Sequence, residues 1–136
     1  MTKNANFFKS LSKEDTLQVA ITRYLKSQFP KLLWLHVPNS GVRTSWERFR
    51  MSVLGLKKGA PDLMLFRHRI NHDLIEQNYG KDYEFSGLAI ELKAGKNRQE
   101  PEQIEWQIQL EAEGWIYKVF YEYDPAVKFI DRYMQA

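Results

Sequence analysis

Cysteine is absent from the 136-residue chain, which excludes a disulfide scaffold, a cysteine nucleophile and thiolate zinc or iron–sulfur sites. Histidine is scarce. His36, His68 and His72 do not stand at zincin spacing, so any metal must be held mainly by oxygen. No apolar run reaches the roughly 18 residues of a membrane span. The opening stretch MTKNANFFKSLSKED has neither an apolar h-region nor a small-residue cleavage site, so a cytoplasmic protein without a membrane partner is expected. Internal repeats and low-complexity tracts are also missing, which excludes a solenoid.

What is present describes one soluble globular domain: 43% hydrophobic, 14% aromatic and 27% charged residues, on a chain of ordinary single-domain length. The net charge of +3 is mild, but its distribution is not. Residues 1–58 hold 11 Lys/Arg against 3 Asp/Glu, whereas residues 91–136 hold 6 against 9. A positive field at one end of a chain is a nucleic-acid footprint if the basic residues share a face, and a solvated surface if they do not.

The apolar periods divide the chain as follows. Residues 1–11 read as a flexible lead-in to a single domain over 12–136. Ser12 with Asp15 resembles a capping box, and Leu17, Ile21, Tyr24 and Leu25 continue at helical spacing over 12–28. Pro30 stops that helix, and the run 32–37 is of strand length before Pro-Asn-Ser-Gly. Trp46, Phe49, Val53 and Leu54 recur at steps of three and four, predicting an amphipathic basic helix over 45–54 capped by Gly55. Strands are expected at 61–66 and 87–94, separated by an insertion at about 67–86 that shows no period. Pro101 opens a third helix with Ile104, Ile108 and Leu110, closed by Gly114. A strand over 115–121 and a helix opened by Asp124-Pro125 finish the chain. The order α-β-α-β-β-α-β-α predicts an α/β domain with a mixed central sheet flanked by helices. Trp34, Trp106, Trp115 and most Phe and Tyr fall on apolar periods and read as core, without a nucleic-acid role.

Two strands carry residues that a buried strand does not need. In 87–94 (GLAIELKA), Glu91 and Lys93 stand two apart and share a face. Alone, this pattern is better described as a surface ion pair on an edge strand. Asp62, opening the preceding strand, adds a second acid, and consecutive strands are commonly adjacent. Two carboxylates brought close in a partly apolar site repel, which favours a raised pKa or a bound divalent cation. Oxygen ligands suit Mg2+ or Mn2+, which polarises a phosphodiester and activates water, with Lys93 steadying that water or the developing charge. The basic run Arg43, Arg48, Arg50, Lys57 and Lys58 leads directly into Asp62. It would contact DNA phosphates without reading bases.

Pro61-Asp62 followed 29 positions on by Glu91-Leu92-Lys93 resembles the PD-(D/E)xK nuclease superfamily, with its restriction-endonuclease-like core. More narrowly, the ordered set HVPNSGVR (36–43), KGAPD (58–62), GLAIELK (87–93), QIEW (103–106) and Gly114 is similar to the VRR-NUC family. The resemblance covers most of residues 12–133. It implies Asp62 and Glu91 as metal ligands, the Leu92 carbonyl as a further ligand and Lys93 as the catalytic lysine. It also implies Glu14, on the first helix one turn before Gln18, as a ligand acting directly or through water, against a local reading as first-turn dipole stabilisation. Gln103 becomes an auxiliary catalytic or substrate-positioning residue, where composition alone reads a solvated amide. By the same resemblance the protein would be a Mg2+- or Mn2+-dependent, structure-selective DNA endonuclease like a Holliday junction resolvase. It would cut branched DNA as a C2 homodimer in a bacterial or phage-infected cell. A catalytically silent nucleic-acid-binding module on the same fold is the rival, opposed by the joint presence of Asp62, Glu91 and Lys93. A metal-independent RNA-cleaving enzyme would need paired histidines that nothing in the sequence brings together.

Overall fold

The structure is a computed structural model describing residues 3–38, 44–71 and 83–135. Its elements are α1 (Lys3–Ser10), α2 (Lys13–Gln28), β1 (Leu33–His36), α3 (Ser45–Val53), β2 (Leu63–Phe66), β3 (Arg69–Asn71), β4 (Tyr83–Phe85), β5 (Gly87–Leu92), α4 (Pro101–Ala112), β6 (Trp115–Phe120) and α5 (Tyr123–Gln135). Four strands form the central sheet in the order β1-β2-β5-β6. β1 and β5 both run antiparallel to β2, and β6 runs parallel to β5 after the α4 crossover. The mixed α/β architecture expected from the periods is therefore present.

Strand alternation sorts β5 onto two faces. Leu88, Ile90 and Leu92 enter a core with Ile21 and Leu25 of α2 and with Ala126, Ile130 and Tyr133 of α5. Each fully buried aliphatic side chain there stabilises by about 1.5–3 kcal/mol. Ala89 turns the other way, into a smaller cluster with Leu110 of α4, Tyr117 of β6 and the half-buried Met64, Trp106, Trp115 and Val119. Gly87 permits this second layer: a Cβ there would lie 2.4 Å from the Trp115 ring and 2.6 Å from the Leu65 carbonyl oxygen.

Five expectations are corrected. The lead-in holds helix α1, and the stretch 67–86 holds β3 and β4, which pair antiparallel as a separate two-stranded sheet. The stripe of α3 is not core. Thr44 caps the helix in a reciprocal box with Glu47, yet α3 buries no residue, and Trp46 and Val53 are 68% and 69% exposed. On α4, Ile104 and Ile108 face outward, while Trp106 and Leu110 pack inward. Finally, Asp124 lies in the first turn of α5 rather than before it.

Candidate active site

Among the described residues buried charge is confined to one place. There Glu91 and Lys93, 1% and 8% exposed, are the charged side chains that the interior covers. They follow Ala89 on the α4 face, where β5 runs out beside the start of β2. Asp62 precedes β2 by one residue and belongs to the same face as Met64 by alternation. The three side chains expected to converge do so.

Asp62 is fixed through both its backbone and its side chain. Its carbonyl accepts from the Val37 N–H at 3.2 Å and lies 2.8 Å from Nδ1 of His36, tying it to the end of β1. Its Oδ2 accepts from the Leu92 N–H at 2.7 Å. In an extended strand a residue's N–H and C=O point to the same side. The Leu92 carbonyl therefore opens toward Asp62, and Lys93 turns back to β6, its N–H donating to Phe120 at 3.0 Å. Burial pushes the Asp62 carboxyl above its ordinary range; the Leu92 N–H opposes that shift, and Glu14 adds to it by repulsion.

Glu91 is gripped by side-chain donors, with Gln99 also lying within hydrogen-bonding reach. Gln103 Nε2 donates to Oε1 and the Tyr117 hydroxyl donates to Oε2. Burial raises this carboxyl too; the Tyr117 bond opposes the shift, and the Asp62 charge reinforces it. The phenol in turn is pushed well above its usual value by burial and by its carboxylate partner. Gln103 does two jobs in the first turn of α4: its Oε1 also accepts the Glu100 N–H at 2.7 Å, so the same amide caps the helix and grips Glu91.

Glu14 stands half-buried in the first turn of α2, 3.5 Å from Asn97 Nδ2 and near enough to Asp62 to raise its pKa. Among the described residues no three acidic or histidine side chains gather into a ready-made ion cage. Asp62, Glu91 and the Leu92 carbonyl still make an oxygen donor set suited to Mg2+ or Mn2+, which is commonly held by one or two carboxylates with water completing the shell. Two raised, mutually repelling carboxylates are what a divalent cation relieves.

The basic segment is only partly gathered. Arg48, Arg50, Lys57 and Lys58 are exposed, and Lys58 pairs with Glu102 at 3.3 Å. Arg43 lies outside the described residues. Lys58 is positioned by the backbone around it: its carbonyl accepts from Trp106 Nε1 at 3.0 Å, and Gly59 sits at φ +89°, where a Cβ would strike Glu102. Sequence reasoning missed Tyr117, whose role depends on lying opposite Ala89 in the β5/β6 register. It also gave no role to His36, which reaches the Asp62 carbonyl, or to Lys96 and Arg98, exposed on the loop that leaves Lys93.

The sheet order and its flanking helices give a mixed α/β domain of restriction-endonuclease-like fold. Among solved structures the chain is similar to a "VRR_NUC domain protein": 24% identity, TM-score 0.68, covering 93% of this chain and 91% of that one. The likeness shows a shared fold, and its name is that of the family the motifs resemble. No protein-family model matches the sequence, and no curated protein matches it.

Proposed function

We propose that the protein is a divalent-metal-dependent endonuclease acting on DNA, with branched or junction DNA as its preferred substrate. The observation that carries this reading is the meeting of Asp62, Glu91 and Lys93 at one end of the sheet, with both carboxyls raised by burial. The name of the structural neighbour, a VRR_NUC domain protein, supports the nuclease class. Asp62, Glu91 and the Leu92 carbonyl would hold the ion, with Glu14 contributing through water. When bound, Mg2+ or Mn2+ supplies charge neutralisation at the phosphodiester and a water of lowered pKa. Lys93 offers a cation to the developing negative charge from a site already shielded from solvent. Gln103 keeps Glu91 aimed, and Arg43, Arg48, Arg50, Lys57 and Lys58 bind phosphates without reading bases.

Symmetric cutting of a junction requires two sites, and the exposed apolar stripe of α3 (Trp46, Phe49, Val53 and Leu54) supports a homodimer. None of the described helices is long and apolar enough to cross a membrane.

The test is cleavage of end-labelled four-way junction, 5′ flap, duplex and single-stranded DNA with Mg2+, Mn2+ or EDTA, by wild type and Asp62→Ala. Junction cutting that needs metal and falls at least about 10³-fold in the variant is expected. Binding without cutting by wild type under every metal condition would establish the silent module instead.

A further inference from the structure

The two oxygens of Glu91 are held by unequal groups. Oε2 accepts from Tyr117, a residue 5% exposed whose ring is packed with Ala89, Leu110, Met64, Trp106, Trp115 and Val119. The phenol has two torsions and is wedged between a strand and a helix, so it holds its oxygen in a fixed place. The small side chain of Ala89, directly opposite Tyr117 in the register, leaves room for the ring to lie along β5 and reach the carboxylate one side-chain position further on. Oε1 accepts from Gln103, a half-buried and longer side chain at the start of α4. Oε2 is thus committed to the interior, and Oε1 is the oxygen on the side of the half-buried amide.

A carboxylate pinned in this way offers one ligand atom. Ca2+ takes six to eight oxygens and commonly takes both from one carboxylate, whereas Mg2+ is octahedral and keeps several waters beside one or two carboxylates. Resting on the metal-dependent reading above, we infer that Tyr117 is a specificity-determining residue: by holding Oε2 it confines Glu91 to a single ligand atom and selects Mg2+ or Mn2+ over Ca2+. Tyr117 touches neither substrate nor ion in this account; it acts through Glu91.

The experiment is calorimetric titration of the full chain with MnCl2 and, separately, CaCl2, read as the ratio of the two dissociation constants. Tyr117→Phe keeps the ring and removes only the hydroxyl. It should narrow the preference for Mn2+ over Ca2+ by about tenfold, the scale on which groups that hold a metal ligand act. Gln103→Met, which leaves Tyr117 on Oε2, should weaken both ions together and leave the ratio unchanged. An unaltered ratio in Tyr117→Phe overturns the inference, as does a Gln103→Met ratio that moves equally far. A wild type that prefers Ca2+ to Mn2+ also overturns the inference, because that preference is incompatible with the clamp. A wild type that binds neither ion overturns the metal-dependent reading itself, and so marks a different failure.

Discussion

The two faces of β5 are built to opposite rules on the same six residues. Toward α2 and α5 the strand presents Leu88, Ile90 and Leu92, all apolar and at most 2% exposed. Toward α4 it presents Gly87, Ala89 and Glu91, with Lys93 next in line, so that side runs from no side chain to buried charge. One face gains stability from apolar burial; the other spends it by desolvating groups that water would rather keep. A strand buried on both sides can hold a carboxylate at a fixed place because its opposite face anchors the backbone.

The largest effect expected is therefore on the apolar face. Ile90→Ala removes a fully buried side chain from the main cluster and should cost about 2–5 kcal/mol in urea denaturation. Asp62→Ala, on the charged face, should leave the metal-free chain at least as stable as wild type while removing cleavage. If Asp62→Ala proved the more damaging to stability, the division of labour between the faces would be wrong.

The charged face was also the more legible one. Glu91 and Lys93 break an apolar run with period two, and Asp62 opens the next run back, so alternation and adjacency suggest that the three converge, while their proposed roles rest on the family resemblance. Periodicity reports that a face is apolar without reporting what covers it, which is why the periods place α3 and α4 without showing that Trp46, Val53, Ile104 and Ile108 stay exposed. β3 and β4 are three residues each, too short to carry a period, and they exist through pairing with one another. Tyr117 was invisible for a related reason. An aromatic residue on a strand reads as packing, and only the non-local register that sets it beside Ala89 shows its hydroxyl reaching Glu91.

A smaller effect sharpens the same contrast through pH. Burial raises the carboxyls of Asp62 and Glu91 above their unfolded values. The folded chain therefore binds more protons than the unfolded one between those values, and their contribution to stability is lost as pH rises through the raised range. In chelator, Asp62→Asn should be more stable than wild type at pH 7, with the advantage shrinking as pH falls through the ordinary carboxylate range. Asn can still accept the Leu92 N–H, so the backbone contact survives. Mn2+ should raise the melting temperature of wild type at neutral pH and leave that of Asp62→Asn nearly unmoved. A variant less stable than wild type at pH 7 without metal would show that the carboxylate is held by attraction rather than tolerated.

The smallest effect tests whether the α4 face draws stability from its edges. Trp106 donates from Nε1 to the Lys58 carbonyl at 3.0 Å, joining α4 to the loop that leads into Asp62. Trp106→Phe keeps an aromatic ring against Ala89, Leu110 and Tyr117 and deletes that donor. The freed carbonyl lies at the surface, where water replaces the indole, so the loss should be about 0.5 kcal/mol, the low end for a single hydrogen bond. A cost above about 2 kcal/mol would mean that the loop and α4 brace the charged end of the sheet together. The rigidity around Asp62 would then come from both faces of β5 and not from the apolar one alone.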